Sequence, residues 1–358
     1  MRLVQARFER HELKTKALID KNIMNDATAI KKLSGYDLSG YSLMGSDLAG
    51  AQLANAKLRG ANLAGADLSK ADLTQADLTG ADLSGADLYQ AKLSGARLNG
   101  VNLSNSDCTS ADLRDTQLNG ARLTGAKLSE SNFTNASLTG ADLRDCDLSN
   151  SDLTGAKLVG AGFEGANLTR AKLDNSKLFG ARLFDANMGN VSLRDADLSA
   201  TKMRGAKLRD ADLNNAKMFS ADMSNAQLFN CSFESASLRS SIMSGANLQN
   251  ACFDGANLSN SRLNRADFSN ASLEESNLWA AQVSGSVFAQ ANFTGTNLLA
   301  TGIHKDFALS EFPDLIFSEQ TKWDSQTFKR RRLSSSQAQS IAQEVRKRGF
   351  FSRIFGRG

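Results

Sequence analysis

Hydrophobic residues recur at every fifth position over about three quarters of the chain. From Leu38 to Ile303 this position holds Leu, Phe, Met, Val or Ile, except at Cys108, and the run contains 54 units without an insertion. Where two apolar residues are adjacent, at Val287 and Phe288, Phe288 keeps the register. A period of five fits neither the 3.6 residues of a helical turn nor the two-residue alternation of a strand. We therefore expect each unit to turn the chain by a fixed angle, so that the chain winds into a solenoid.

A second, smaller residue precedes each of these apolar positions by two places. It is most often alanine, as at Ala51, Ala56 and Ala61, and only Tyr36 and Tyr41 are large. One large and one small inward residue per unit can fill a narrow interior at the density of a protein core. Gly, Asn, Asp and Ser dominate the remaining positions and suit tight corners, because they tolerate unusual backbone angles or bond to their own backbone.

The clearest units resemble a known repeat. They read Ala61-Asn62-Leu63, Ala66-Asp67-Leu68, Ala71-Asp72-Leu73 and Ala76-Asp77-Leu78. This pattern resembles the Ala-(Asp/Asn)-Leu-x-x consensus of the pentapeptide-repeat family. The resemblance implies an all-β fold, a right-handed quadrilateral β-helix with four units per coil. It would give this chain about 13.5 coils and, at about 4.8 Å per coil, a rod roughly 65 Å long.

The two ends depart from the repeat and predict caps. We divide the chain into an N-terminal cap at 1–34, the β-helix at 35–303, a C-terminal cap at 304–333 and a basic amphipathic tail at 334–358. The N-terminal cap and the tail are expected to be helical, because apolar residues recur in them at helical spacing. Caps are needed because the end coils of a solenoid expose core residues and unpaired backbone groups.

Candidate catalytic chemistry is sparse. The only histidines are His11 and His304, near opposite ends of the chain, and the four cysteines occur singly, without a CxxC pair. The sequence contains no zinc-protease, phosphate-loop or serine-hydrolase motif. We therefore predict a protein that is not an enzyme and that has no cofactor and no metal site. Cysteines without pairs and the lack of a signal-peptide pattern favour the cytoplasm.

Five successive outward carboxylates form the first candidate surface, which we call the acidic collar: Asp67, Asp72, Asp77, Asp82 and Asp87. The alternative to a binding surface is that these carboxylates belong to the ordinary hydrated surface of consensus repeats. Family members that protect DNA gyrase are understood to mimic DNA with an acidic rod, which makes a gyrase-binding, inhibitor-resistance protein the alternative function. The 23 basic and 28 acidic residues between 36 and 303 give a net charge of only −5. Duplex DNA of that length would carry some forty charges, so this reading is disfavoured.

The second candidate surface appears when positions are read every 20 residues. One outward column then contains the apolar stripe: Val159, Phe179, Phe219, Trp279 and Leu299. Ser199, Arg239 and Ser259 interrupt it, so isolated surface hydrophobes are the alternative to a partner or self-association face.

The third candidate is the end of the tail, which is cationic and aromatic. It contains Arg346, Lys347, Arg348, Phe350, Phe351, Arg353, Ile354 and Phe355. Such a segment can bind an anionic membrane surface, dock on a partner or a second copy of the chain, or have no specific role.

The leading functional hypothesis is a non-enzymatic scaffold that binds proteins through the faces of a rigid β-helix. In this hypothesis the protein is cytoplasmic and is held peripherally at a membrane by its tail. A homodimer is an open alternative, and direct binding of nucleic acid is not expected.

Overall fold

The computed structural model describes residues 32–301 and 321–322. Most of the two predicted caps and the whole predicted tail therefore lie outside the described residues. The chain divides into two compact units, Met1–Lys157 and Leu158–Gly358. Each unit is described by itself.

Both units are ladders of single-residue parallel bridges, and the described residues contain neither a helix nor a longer strand. In the first unit the bridges run from Lys32↔Gln52 to Ser137↔Lys157. In the second unit they run from Gly162↔Arg182 to Asn277↔Asn297. The paired residues are 20 apart, so each coil has four sides of five residues. The predicted four-sided β-helix is confirmed.

Four kinds of backbone hydrogen bond build each side, and one of them runs from the corner amide to the next coil, as from Gly65 N to Ser84 O at 2.9 Å. The central amide of one coil donates to the next coil, as from Leu63 N to Asp82 O at 2.6 Å, and Asp82 N returns a bond to Ala61 O at 2.9 Å. Within a side, Ala66 N donates to Leu63 O at 3.0 Å and closes a four-residue turn. The second inner residue of this turn, Gly65, has φ of +63°, as a type II turn requires. The same turn recurs in every unit, so the chain changes direction every five residues.

The interior holds the residues that the pattern predicts. The central apolar residues from Leu33 to Leu298 and almost all the small residues two places before them are buried. Hydroxyls in the small-residue ladder are accommodated by bonding inward, as Ser106 Oγ does to Leu103 O at 2.7 Å. In the first described coil the two large residues of this ladder differ: Tyr36 is exposed and Tyr41 is half-buried.

Aromatic residues replace much of the leucine ladder late in the second unit. Phe233 and Phe253, one coil apart, stack with ring centroids 4.6 Å apart and planes 3° apart. Phe268 and Phe288 stack at 4.9 Å. Phe288 is fully buried and its neighbour Val287 is exposed, so the register predicted for this apolar pair is confirmed.

The last described coil is covered at one place by a short return of the chain. Lys322 pairs in parallel with Asn297, a separation of 25 residues in place of the usual 20. Lys322 O accepts from Leu298 N at 2.9 Å, and Thr321 Oγ1 donates to Phe293 O at 2.8 Å. These two residues belong to the segment that we predicted as the C-terminal cap, and they satisfy backbone groups of the last coil.

Candidate functional site

The apolar stripe is one continuous column of the second unit. Each member lies just before a corner, and backbone bonds connect successive coils along it, as from Gly160 N to Phe179 O at 3.0 Å and from Ala280 N to Leu299 O at 2.9 Å. Phe179 is 52% exposed, Phe219 51% and Trp279 47%. Val159 is 36% exposed and Leu299 is half-buried. The structure therefore aligns the predicted residues and leaves three aromatic rings in contact with solvent.

These three rings differ from another outward aromatic residue of the second unit. Phe229 is half-buried, and the guanidinium of Arg209 lies 5.1 Å from its ring centroid, so an internal cation covers it. Among the described residues, neither a cation nor another ring makes such a contact with Phe179, Phe219 or Trp279. Their exposed faces are available to another molecule.

The interruptions of the stripe are short or basic side chains. Ser259 lies in the column between Arg239 and Trp279 and is only 6% exposed, so it does not separate them with a protruding polar group. Arg239 is exposed, as are Lys177 and Lys217, which lie two places before Phe179 and Phe219. None of these three cations forms an ion pair with a described residue. Asp197 pairs in the ladder with Lys177 and with Lys217, so the border of the apolar stripe carries three cations and one carboxylate.

The acidic collar lies in the first unit, and its carboxylates also serve the local backbone. Each accepts a hydrogen bond from the amide two residues later, at 2.8 to 3.1 Å: Ser69 to Asp67, Thr74 to Asp72, Thr79 to Asp77, Ser84 to Asp82 and Tyr89 to Asp87. Asp67 pairs with Asp87 in the ladder, so the fifth carboxylate begins a second coil. All but Asp87 are half-buried. The collar residues are thus turn caps as well as surface charges.

Hydrogen bonds to these caps lower the pKa of three collar carboxyls. The hydroxyl of Thr74 holds the pKa of Asp72 below its usual value, and the amide of Ser84 does the same for Asp82. Burial alone would raise the pKa of Asp77, but bonds from Thr79 outweigh it and the pKa is lowered. These carboxylates are therefore ionised at neutral pH and are poor proton donors.

The thiols offer no nucleophile. Cys108, Cys146 and Cys231 are buried, and burial raises the pKa of each thiol to about 12. Cys252 is half-buried, and desolvation raises its pKa to about 11. A reactive cysteine requires the opposite shift, toward the thiolate at neutral pH. All four are free, as expected for cysteines that occur singly in the repeat.

Other functional chemistry is limited within the described part of the chain. No group of His, Cys, Asp and Glu residues there could hold a metal ion. No helix in the same residues is long and apolar enough to cross a membrane. His11, His304 and the candidate tail residues 346–355 lie outside the described residues.

Sequence reasoning missed two concave surfaces, because a depression depends on side chains from neighbouring coils. One, of 540 Å3, lies in the first unit beside Lys70, Tyr89 and two aspartates, Asp87 and Asp107. The other, of 410 Å3, lies at a corner of the second unit next to the apolar stripe. Reading the sequence every 20 residues at two adjacent columns would have placed these residues together.

Comparison with known proteins identifies the repeat. The sequence profile of pentapeptide repeats matches the chain in nine segments between residues 46 and 298. The chain is similar to HetL, a pentapeptide repeat protein involved in heterocyst differentiation regulation in the cyanobacterium Nostoc sp. strain PCC 7120. The identity is 30%, over 70% of this chain and 93% of HetL, with a TM-score of 0.25. None of the curated proteins matches the chain.

Two further solved structures are similar at lower identity. Full-length QnrB1, a plasmid-mediated fluoroquinolone resistance protein, is 19% identical over 64% of this chain and 96% of its own, with a TM-score of 0.28. Rfr23, a pentapeptide repeat protein of the cyanobacterium Cyanothece 51142, is 22% identical over 44% of this chain and 97% of its own, with a TM-score of 0.24.

Proposed function

Because the chain belongs to the pentapeptide repeat family, whose fold is the right-handed quadrilateral β-helix, we propose that it is a non-enzymatic scaffold that binds a protein partner through the apolar stripe. Proteins of this family are in general not catalysts. The buried thiols and the backbone-bonded collar carboxylates support the same assignment. Function then depends on what the outer surface binds.

One observation carries the proposal: three aromatic rings, each about half exposed, lie in one column of a regular ladder. Single exposed hydrophobic residues are common on soluble proteins, whereas several on one face give a partner more than one apolar contact. Phe, Trp and Tyr are enriched at interfaces, where a few of them carry most of the binding energy. The hydrogen-bonded backbone fixes their spacing, so a partner meets a preorganised surface.

The spacing defines what a partner must present. Phe179 and Phe219 are two coils apart, about 10 Å, and Phe219 and Trp279 are three coils apart, about 14 Å. The partner therefore needs apolar contacts over about 24 Å. Acidic groups beside them would meet Lys177, Lys217 and Arg239.

A comparison of two triple variants tests the proposal. In the first, Phe179→Ser, Phe219→Ser and Trp279→Ser remove the rings of the stripe. In the control, Met44→Ser, Tyr89→Ser and Val287→Ser remove exposed apolar side chains elsewhere. Tagged proteins are purified from cells of the source organism, and bound proteins are quantified by mass spectrometry. The stripe variant should lose partners that the control retains, and equal sets of partners would refute the proposal.

We also propose that the scaffold acts in the cytoplasm and that residues 346–355 attach it to an anionic membrane surface. The support is the sequence alone, since this segment lies outside the described residues. Attachment of a second copy by the same segment is the competing proposal.

The alternative of gyrase binding by DNA mimicry stays a prediction. It rests on the acidic collar, whose carboxylates are surface charges that also cap turns of the backbone. A supercoiling assay with purified gyrase, a fluoroquinolone and increasing amounts of the protein would test it.

A further inference from the structure

The concave surface beside the apolar stripe is a groove along one corner of the second unit. Its floor consists of short side chains at the corner and one wall belongs to the adjoining side: Ser220, Ser240, Asn260 and Ala280 form the floor, and Ile242 and Arg262 stand in the wall.

The repeat explains why this corner is hollow. The four floor residues are the left-handed corner positions of successive coils, with φ from 55° to 58°. The wall residues are paired one coil apart, as Ile242↔Arg262. On the other side of the floor lies the apolar stripe, because Phe219 immediately precedes Ser220 and Trp279 immediately precedes Ala280. The groove thus occupies the stretch in which the stripe is interrupted.

Two unpaired arginines border this groove from opposite sides. Arg239 lies in the stripe and Arg262 in the wall, both are exposed, and neither forms an ion pair with a described residue. The nearest acid in the wall column is Asp222, which lies two coils before Arg262, beyond Ile242, and forms no ion pair with either arginine. Its carboxylate accepts from the amide of Ser224 at 3.0 Å and from its hydroxyl at 2.5 Å. The two arginines at the border of the groove are therefore not neutralised by an ion pair within the described residues.

We propose that this groove binds an extended, acidic segment of a partner protein. Carboxylates of the segment pair with Arg239 and Arg262, and a large apolar side chain packs between Ile242 and Trp279. The inference rests on the proposed scaffold function and deepens it by naming the chemistry of the partner.

Length and lining both favour an extended segment. The floor spans three coil spacings, about 14 Å, which four or five residues of extended chain cover. Small floor residues let a backbone approach closely, and Asn260 and the two serines offer hydrogen bonds to it. Arginine pairs with carboxylates through two parallel hydrogen bonds, which adds orientation to attraction. The basic tail of this chain does not fit, because like charges repel.

A displayed library of random peptides provides the probe. Full-length protein and the double variant Arg239→Glu, Arg262→Glu are used as baits, and the affinity of selected peptides is measured by fluorescence anisotropy. We expect peptides rich in Asp and Glu around an aromatic or leucine residue. Their binding to the double variant should be weaker by about tenfold or more, because attraction becomes repulsion.

The first unit supplies a matched control. Arg59 and Arg122 are exposed and occupy the same places in the 20-residue coil as Arg239 and Arg262, respectively. The variant Arg59→Glu, Arg122→Glu changes the net charge equally and should bind the selected peptides as the wild type does. Circular dichroism before and after heating verifies that both double variants are folded.

Selected peptides without acidic enrichment, or equal affinity for wild type and the groove variant, would overturn the inference. So would a wild-type dimer, seen by analytical ultracentrifugation, that the groove variant dissociates, because the groove would then bind a second copy. Phe179→Ser separates this inference from the proposed function, since Phe179 does not line the groove. Two results together would support the scaffold proposal and reject the groove: Phe179→Ser loses partner proteins, and the change of Arg239 and Arg262 to Glu leaves peptide binding unaffected.

Discussion

At the scale of single residues, the corner position sets a conformational demand on every unit. All 54 described corners, from Gly35 to Ala300, have φ between 54° and 74°, and 32 of them are not glycine. A left-handed backbone costs a residue with a Cβ about 1–2 kcal/mol, and asparagine and aspartate bear it best. Asparagine recurs at these corners, and its amide can also bond from coil to coil, as Asn250 Nδ2 does to Asn230 Oδ1 at 3.1 Å.

Ala200 is a corner where this cost can be removed. It has φ of +57°, and its methyl group cannot offset the strain by hydrogen bonding. Ala200→Gly should raise the melting temperature, by an amount equivalent to about 0.5–1 kcal/mol after the added freedom of the unfolded chain is subtracted. The reverse change, Gly60→Ala, should lower it, although no atom lies within 4 Å of the added Cβ. Thermal melts followed by circular dichroism measure both, and a lower melting temperature for Ala200→Gly would contradict the strain.

A single carboxylate gives a pH prediction. Hydrogen bonds from the Arg144 side chain, at 2.8 and 2.6 Å, lower the pKa of Asp142 from 3.8 to about 2. A folded pKa below the unfolded value stabilises the protein above about pH 4, and the contribution is lost as the pH falls from about 4 to about 2. Asp142→Asn should therefore be less stable than wild type at pH 7 and equally stable near pH 2, as urea titrations would show. Arg144→Gln should show the same loss of stability at pH 7. If the difference in stability between wild type and variant were the same at pH 7 and pH 2, the ion pair would be excluded as its cause.

At the scale of the repeat unit, the backbone amide after the central residue is satisfied in two ways. In many units an Asp or Asn just before the central residue accepts it, as in the collar. In several units where that residue is Ser or Gln, the acceptor comes from the previous coil. Thr139 N and Ser137 Oγ both donate to Asn119 Oδ1, at 3.1 and 2.8 Å, and Glu234 N donates likewise to Asn214 Oδ1 at 2.9 Å.

Because the two kinds of acceptor serve the same backbone amide, one should be able to replace the other. Asn119→Ala removes the acceptor of the Thr139 amide and should destabilise the protein by about 1 kcal/mol. Adding Ser137→Asn supplies a local acceptor two residues before Thr139 and should recover most of the loss. Urea unfolding of the wild type, both single variants and the double variant measures the coupling. Strictly additive effects would show that the two acceptors do not replace each other.

The sequence predicted most features of these units. The period of five and the pairing of large and small inward residues predicted the winding, the core and the corners, because each depends on spacing within one unit. The four sides of the coil were implied by the resemblance to the pentapeptide-repeat family. The exchange of acceptors between coils was not predicted, since it depends on residues 18 to 20 positions apart. The register at Phe288 was predicted, although Val287 is equally apolar, because only Phe288 continues the period.

At the scale of the molecule, the described surface divides its features between the two units. The acidic collar lies in the first unit, and the apolar stripe and the groove lie in the second. Sequence alone aligned the stripe but did not show which outward aromatic rings of the second unit are exposed. Phe229 and Phe219 occupy equivalent places in their units, yet only Phe229 has an arginine one coil before it, Arg209, that covers its ring. The groove was not predicted because its walls come from two sides of the coil.

The basic tail predicts a separate property of the whole chain. Full-length protein should sediment with anionic vesicles at low salt and less at physiological salt, and a version ending at Ser334 should remain in the supernatant. Vesicles of neutral lipid are the control. A tail-dependent dimer without sedimentation would favour the competing proposal that the tail joins two copies.

The central claim is that partners contact the second unit at the apolar stripe, and site-specific photocrosslinking in living cells tests it most directly. A photoreactive phenylalanine analogue replaces Phe219 in one strain and Tyr89, an exposed aromatic residue of the first unit, in another. We predict crosslinked adducts with a partner protein from position 219 and none of that mass from position 89. Adducts from position 89 alone, or the same adducts from both positions, would contradict the assignment of the stripe as the partner surface.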